Sequence, residues 1–152
     1  MSLSVSFTLT GDKELDRKFQ ELPKRVEKKI LREALRPAAK MIQRQAVSNF
    51  PERTGTARQS LKVRAGKRSR RTPDQVSIVV ITAAGWFKGP AFYVPFVELG
   101  HKFGKRSLPN RRQIPGIHAI KKALDQQGET AKQDAIKRIA EGIEREAAAL
   151  AG

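Results

Sequence analysis

The stretch Pro51-Glu52-Arg53-Thr54-Gly55-Thr56-Ala57-Arg58-Gln59-Ser60-Leu61, "PERTGTARQSL", stands between a long run of helical spacing and the first clear strand alternation after it. Three readings compete: an active-site loop, a phosphate cradle, or a corner. An active-site loop needs a nucleophile beside a base. Thr54 and Ser60 have no local Ser/His/Asp grammar, and no Gly-x-Ser-x-Gly is present. A phosphate cradle needs a glycine-rich run closed by Lys, and "RTGTARQS" has neither. The corner needs only what is here. Pro51 ends a helix, Gly55 frees one backbone dihedral, and Thr54 or Thr56 caps a short helical turn over Ala57–Ser60.

Upstream of this corner, Leu3, Val5, Phe7 and Leu9 alternate with Ser4, Ser6 and Thr8, which predicts a half-buried strand over about 3–9. Thr10-Gly11-Asp12 is a turn. Leu15, Phe19 and Leu22 then open a helix, and Pro23 suits the first turn of a new one. Val26, Ile30, Ala34, Leu35, Ala38, Met41, Ile42 and Ala46 keep helical spacing to Phe50. Between them stand Lys24, Arg25, Lys28, Lys29, Arg32, Arg36 and Lys40. The helix over about 12–49 therefore has one apolar and one strongly basic face, and Pro37 is expected to bend or break it.

Downstream, Leu61, Val63 and Ala65 alternate with Lys62 and Arg64. Gln75–Thr82 is the most apolar β-branched run. Together they predict an antiparallel hairpin over about 60–82 around a basic loop at 66–74. Residues 84–116 read as irregular: a Gly/Pro loop around Trp86 and Phe87, a segment at 91–100 that is ambiguous between strand and helix, and a basic loop at 102–115. A stripe from Ile117 to Leu150 predicts a C-terminal helix, with Gly128 a candidate split. The expected architecture is one α+β domain over 1–152. In it a small, mainly antiparallel sheet packs against a long bent N-terminal helix and a C-terminal helix.

At 152 residues such a domain buries enough surface to fold without staples. Cysteine is absent, which excludes disulfides and thiolate-held metals. No apolar run reaches the roughly 18 residues of a membrane span, no signal peptide is visible, and no membrane partner is expected. The net charge of +16 points to polyanions: nucleic acid, an acidic membrane or an acidic protein face.

Two runs concentrate that charge: Lys62, Arg64, Lys67, Arg68, Arg70 and Arg71, then Lys102, Lys105, Arg106, Arg111 and Arg112. Brought together by the fold, they would form a polyanion-facing or partner-facing surface making sequence-independent, salt-sensitive contacts. Trp86 and Phe87 are either a lid on the core or an anchor for a partner. Glu98 and His101 in "ELGH" have the Glu-x-x-His spacing of a metal pair. Gly100 interrupts any helix between them, and no second such motif exists. No catalytic, cofactor or metal site is expected.

Several pieces together resemble the phage HK-ninety-seven gene-product-ten-like tail-component family. Leu15, Leu22, Pro23, Ala34, Leu35 and Ala38-Ala39 match its opening helix. Pro51, Arg53, Thr54, Gly55, Ala57, Arg58 and Ser60 match its "P-x-[RK]-T-G-x-[LA]-[RK]-x-S". Tyr93, Glu98, Leu99, Gly100 and His101 match an aromatic followed by "E-[FLY]-G-[TH]". Pro115 and Ala119–Leu124 match its last motif. Ala57 and Gly116-Ile117 depart from the usual residues.

The resemblance implies a non-enzymatic virion protein of the neck or tail-completion type. Such a protein joins head to tail as a homo-oligomeric ring, with connector and tail-tube proteins as partners and DNA passing through the lumen. It implies residence in the virion, with assembly in the host cytoplasm. A head-to-tail ring needs two different complementary patches per subunit. The charge alone supports another reading, a stand-alone nucleic-acid-binding protein without sequence preference. An enzyme is the third, and no acid/base set can be named for it.

Overall fold

The computed structural model describes residues 23–52, 55–67, 70–71, 75–82, 88–104 and 111–151. The strand expected over 3–9 and the helix start at 12–22 lie outside the described residues. What is described is α+β: two long helices and two small antiparallel hairpins.

Helix α1 spans Lys24–Asn49. Pro23 sets its entry, with its carbonyl accepting from the Val26 and Glu27 amides at 2.8 and 3.1 Å. The buried residues Ile30, Ala34, Ala38, Ala39, Ile42 and Ala46 recur every three or four positions, so one stripe faces the core. Pro37 does not break the helix, which runs through it. Losing one intrahelical bond there is outweighed by the packing on both sides.

Helix α4 spans Ala119–Ala151, and α3 is the short helix Val94–Leu99. Gly128 does not split α4. Ala131, Ala135, Ile139 and Ile143 hold the buried stripe beyond it. Asn49, at the end of α1, donates to the Ala119 carbonyl at the start of α4. At the other end Lys29 pairs with Glu146, and Glu33 with Arg145. The helices are therefore antiparallel. Alanines from both line the contact and let the backbones approach closely. At Gly142 the helices come close enough that a Cβ would lie 2.8 Å from Ile30 Cγ2.

The corner forms α2, Thr56–Ser60, after the left-handed Gly55 at φ 64°. Strand β1, Leu61–Ala65, then pairs antiparallel with β2, Ile78–Thr82, in the register Leu61 to Thr82 and Val63 to Val80. Alternation places Leu61, Val80 and Thr82 in the core and leaves Lys62 and Arg64 exposed. Gln43 of α1 donates to the Leu61 carbonyl at 2.6 Å, tying the hairpin to the helix.

Within the stretch 84–116 the described residues 88–104 and 111–116 form more regular structure than their sequence suggests. The ambiguous 91–100 segment is a turn followed by α3, with Pro95 in its first turn. The expected loop at 102–115 contains a second hairpin: β3, Gly100–Phe103, pairs with β4, Arg112–Pro115. Four-residue strands next to Gly104 and ending on Pro115 are too short to show alternation. Proline is tolerated at such a strand end because its missing N–H is not needed there.

Candidate partner-facing and polyanion-facing surfaces

Of the motif residues at the corner, Arg53 and Thr54 lie outside the described residues, and the others are structural. Arg58 reaches back across the turn. Its Nε donates to the Phe50 carbonyl at 2.8 Å, and a guanidinium N–H donates to Glu52 at 2.6 Å. Phe50 sits at the end of α1, where carbonyls lose their intrahelical donors, so Arg58 supplies one. Pro51 is exposed and fixes the extended exit. Ser60 folds its hydroxyl onto the Ala57 carbonyl at 2.8 Å. The corner holds α1, α2 and β1 in fixed relation.

The second motif is a lock between two glycines. Gly100 has φ 79°, and a Cβ on it would lie 2.5 Å from the Ile114 carbonyl and 2.6 Å from the Gly116 amide. A Cβ on Gly116 would strike the Glu98 carbonyl in return. The backbones meet because nothing stands between them. Across this contact the Ile117 amide donates to the Val97 carbonyl at 2.9 Å, and the His118 amide to Glu98 at 3.1 Å. His118 itself takes a left-handed φ of 51°.

Glu98 completes the lock. Its side chain is fully buried, and Oε1 accepts from the Ile120 and Lys121 amides at 3.0 and 3.4 Å. Those are orphan donors in the first turn of α4, at the positive end of the helix dipole. Glu98 is thus a helix cap supplied from another element. Its Oε2 and the Nδ1 of His101 have no hydrogen-bond partner among the described residues. No cluster of three or more His or carboxylate side chains suited to a metal occurs among the described residues.

The basic candidates divide. Lys62 and Arg64 share the solvent face of β1, and Lys67, Arg70 and Arg71 continue from it, all exposed. Lys102 and Arg112 are exposed on the second hairpin, with Arg111 half-buried beside it. Arg68, Lys105, Arg106, Trp86 and Phe87 lie outside the described residues. The two hairpins share no strand pairing, so the runs are carried by separate sheets.

Two surfaces were not among the candidates. Arg25, Lys29, Arg32, Arg36 and Lys40 line a groove of about 930 Å³ along α1. They fall at i, i+4, i+7, i+11 and i+15, spacing that was legible as one helix stripe. Phe92, Phe96, Leu99 and Phe103 are the exposed large apolar side chains among the described residues, at 41–66% exposure. Three phenylalanines inside "FYVPFVELGHKF" were the signal for this second surface. The Arg138 guanidinium is held above its ordinary pKa by its hydrogen bond to Asp134 and that carboxylate's charge, on the solvent side of α4.

No described helix is long and apolar enough to cross a membrane. No curated protein and no solved structure matches the chain. Residues 13–100 match the family model described as "Bacteriophage HK97-gp10, putative tail-component", and that span holds both the Arg58 corner and the Glu98–Gly100 half of the glycine lock. The match covers more than half of the chain, which therefore belongs to the HK97-gp10-like family of phage tail components.

Proposed function

We propose that the protein is a neck or tail-completion component of the virion that joins head to tail and acts by assembling as a homo-oligomeric ring, without catalysis. Its partners on this reading are the connector and tail-tube proteins, and it assembles in the host cytoplasm. The observation that carries the reading is membership of a tail-component family across the region holding the two structural motifs. The chemistry agrees with it. The corner and the lock spend their distinctive residues on holding elements together, and Glu98 spends its carboxylate on capping α4.

The basic residues of the first hairpin and its loop face DNA in the lumen or an acidic face of a neighbouring ring. Replacing Arg68, Arg70 and Arg71 by Glu is expected to abolish assembly or DNA retention in particles. Unchanged particles would refute that assignment. Light scattering at several protein concentrations, with and without a tail-tube protein, tests the ring.

The net charge of +16 favours a second reading, a stand-alone nucleic-acid-binding protein. It requires tight duplex binding by the monomer at physiological salt, with a log–log salt slope of about −0.9 per phosphate contact. Binding confined to low salt favours the first reading.

A further inference from the structure

The exposed aromatic side chains form one face. Phe92, Phe96 and Leu99 are spaced i, i+4 and i+7 along the turn and helix that end at Gly100, so they project on one side. His101 continues this face into β3, its ring 5.9 Å from that of Phe96 in an edge contact. Phe103 lies two residues beyond His101, hence on the same side of the strand. Directly across the ladder from Phe103 stands Arg112. Phe103 is 66% and Phe92 55% exposed, a large apolar area to leave in water.

Charge selects what covers it. Between residues 88 and 118 the only carboxylate is Glu98 of α3, which is buried against the first turn of α4. The cations of this segment therefore have no acidic neighbour within it. A second copy of the chain is a poor complement. A two-fold contact would set Arg112 against Arg112, and in a head-to-tail contact the facing copy itself carries a net charge of +16. Elsewhere in the described residues, Glu33, Glu52, Glu129, Asp134, Glu141 and Glu146 already form ion pairs within their own subunit, and Glu27, Asp125 and Glu144 lie on the two long helices among many more cations. Duplex DNA offers phosphates but no apolar surface to bury phenylalanines.

We propose that the face made by Phe92, Phe96, Leu99 and Phe103 docks a different virion protein, one that presents an apolar knob flanked by carboxylates, with Arg112 meeting a carboxylate at its edge. The inference rests on the tail-component reading and adds the docking surface and the chemistry of its partner. Aromatic anchors of this kind carry most of the energy of an interface when a ring of polar contacts excludes water around them.

The test places the photo-crosslinking amino acid p-benzoylphenylalanine at Phe103 of the full chain, with a second probe at exposed Lys137 on α4 as the control. Purified particles are irradiated, and the crosslinked peptides are identified by mass spectrometry. The Phe103 probe is expected to capture another virion protein within a few residues of an Asp or Glu, and the control probe is not. Capture of this same chain, of DNA or of lipid, or no capture from particles that contain the protein, would overturn the inference alone. Absence of the protein from particles would overturn the tail-component reading, and this inference with it.

A second arm uses Phe92→Ser with Phe103→Ser. Both side chains are exposed, so the melting temperature should hold while the protein retained per particle falls about tenfold or more. Retention at the wild-type level would refute the docking role. Sedimentation with vesicles of phosphatidylcholine and phosphatidylglycerol separates the lipid outcome. No binding is expected, and tight binding lost in the double variant would make the face a membrane contact instead.

Discussion

The carboxylate of Glu98 caps a helix that starts on the far side of a hairpin: Oε1 accepts from the Ile120 amide at 3.0 Å, across 22 residues of chain. Both groups are buried, so water cannot take over the bond. Replacing Glu98 by Ala should cost about 2–3 kcal/mol, since it removes a charged acceptor and leaves a first-turn donor bare. Glu98→Gln keeps an acceptor oxygen and should cost less. Urea midpoints at equal m-values measure both. A loss for Glu98→Ala below that of an exposed control such as Glu144→Ala would refute the cap.

Gly100 and Gly55 separate two reasons for keeping a glycine. Both have positive φ, but among the described residues a Cβ on Gly55 meets only the Gln59 side chain at 3.8 Å, whereas one on Gly100 meets backbone at 2.5 Å. Gly55→Ala should cost about 1 kcal/mol for the strained dihedral alone. Gly100→Ala must also part β3 from β4 and should cost about 3 kcal/mol or fail to fold. Thermal melts of the two variants rank them, and equal losses would refute the lock.

At Gly142 two effects oppose each other. Alanine favours a helix interior by about 1 kcal/mol. Its Cβ would crowd Ile30 Cγ2, an overpacking that costs about 1–3 kcal/mol. Since α1 and α4 are both long and anchored at each end, the crowding should win, with a net loss of about 1 kcal/mol. Ile30→Ala removes the offending methyl and should cost less in the Gly142→Ala background than alone. A double-mutant cycle reads that coupling directly. Zero coupling would mean that the helices do not meet there.

The two bonds of Arg58 are unequal. The one to the Phe50 carbonyl is half-buried, while Glu52 is 82% exposed. Glu52→Ala should therefore change stability by less than about 0.5 kcal/mol, and Arg58→Ala by about 1–2 kcal/mol. Arg58→Lys should recover little, because an ammonium lacks the fork that reaches both acceptors. Chemical denaturation of the three variants is the check.

Much of this architecture could be read from the chain. The periodicity of Ile30, Ala34, Ala38 and Ala46 specified α1, and Leu61 and Val63 against Val79–Thr82 specified the first hairpin, because both patterns persist over several repeats. The second hairpin was hidden, since Gly100–Phe103 and Arg112–Pro115 are too short for alternation and owe their pairing to a backbone contact between two glycines. Pro37 and Gly128 read as a bend or break and a split because local preference carries no trace of the long helix–helix contact that overrides it. At the candidate surfaces, Lys62, Arg64 and Arg112 were legible as charge. The exposure of Phe92 and Phe103 was not, because composition marks phenylalanine as core and only the fold turns these outward.

The antiparallel pairing of α1 with α4 has a consequence for synthesis. Lys29 finds Glu146, and Ile30 finds Gly142, only after more than a hundred intervening residues have been made. At about 5–20 residues per second, α1 waits several seconds on the ribosome before Ile139 and Ile143 can pack on its Ile30 and Ala34. The first hairpin packs on Ala38, Ile42 and Ala46 instead, further along the same helix. A chain broken off before residue 139 would lack the Ile139 and Ile143 that pack on Ile30 and Ala34, and would present these two to chaperones and proteases without their α4 cover.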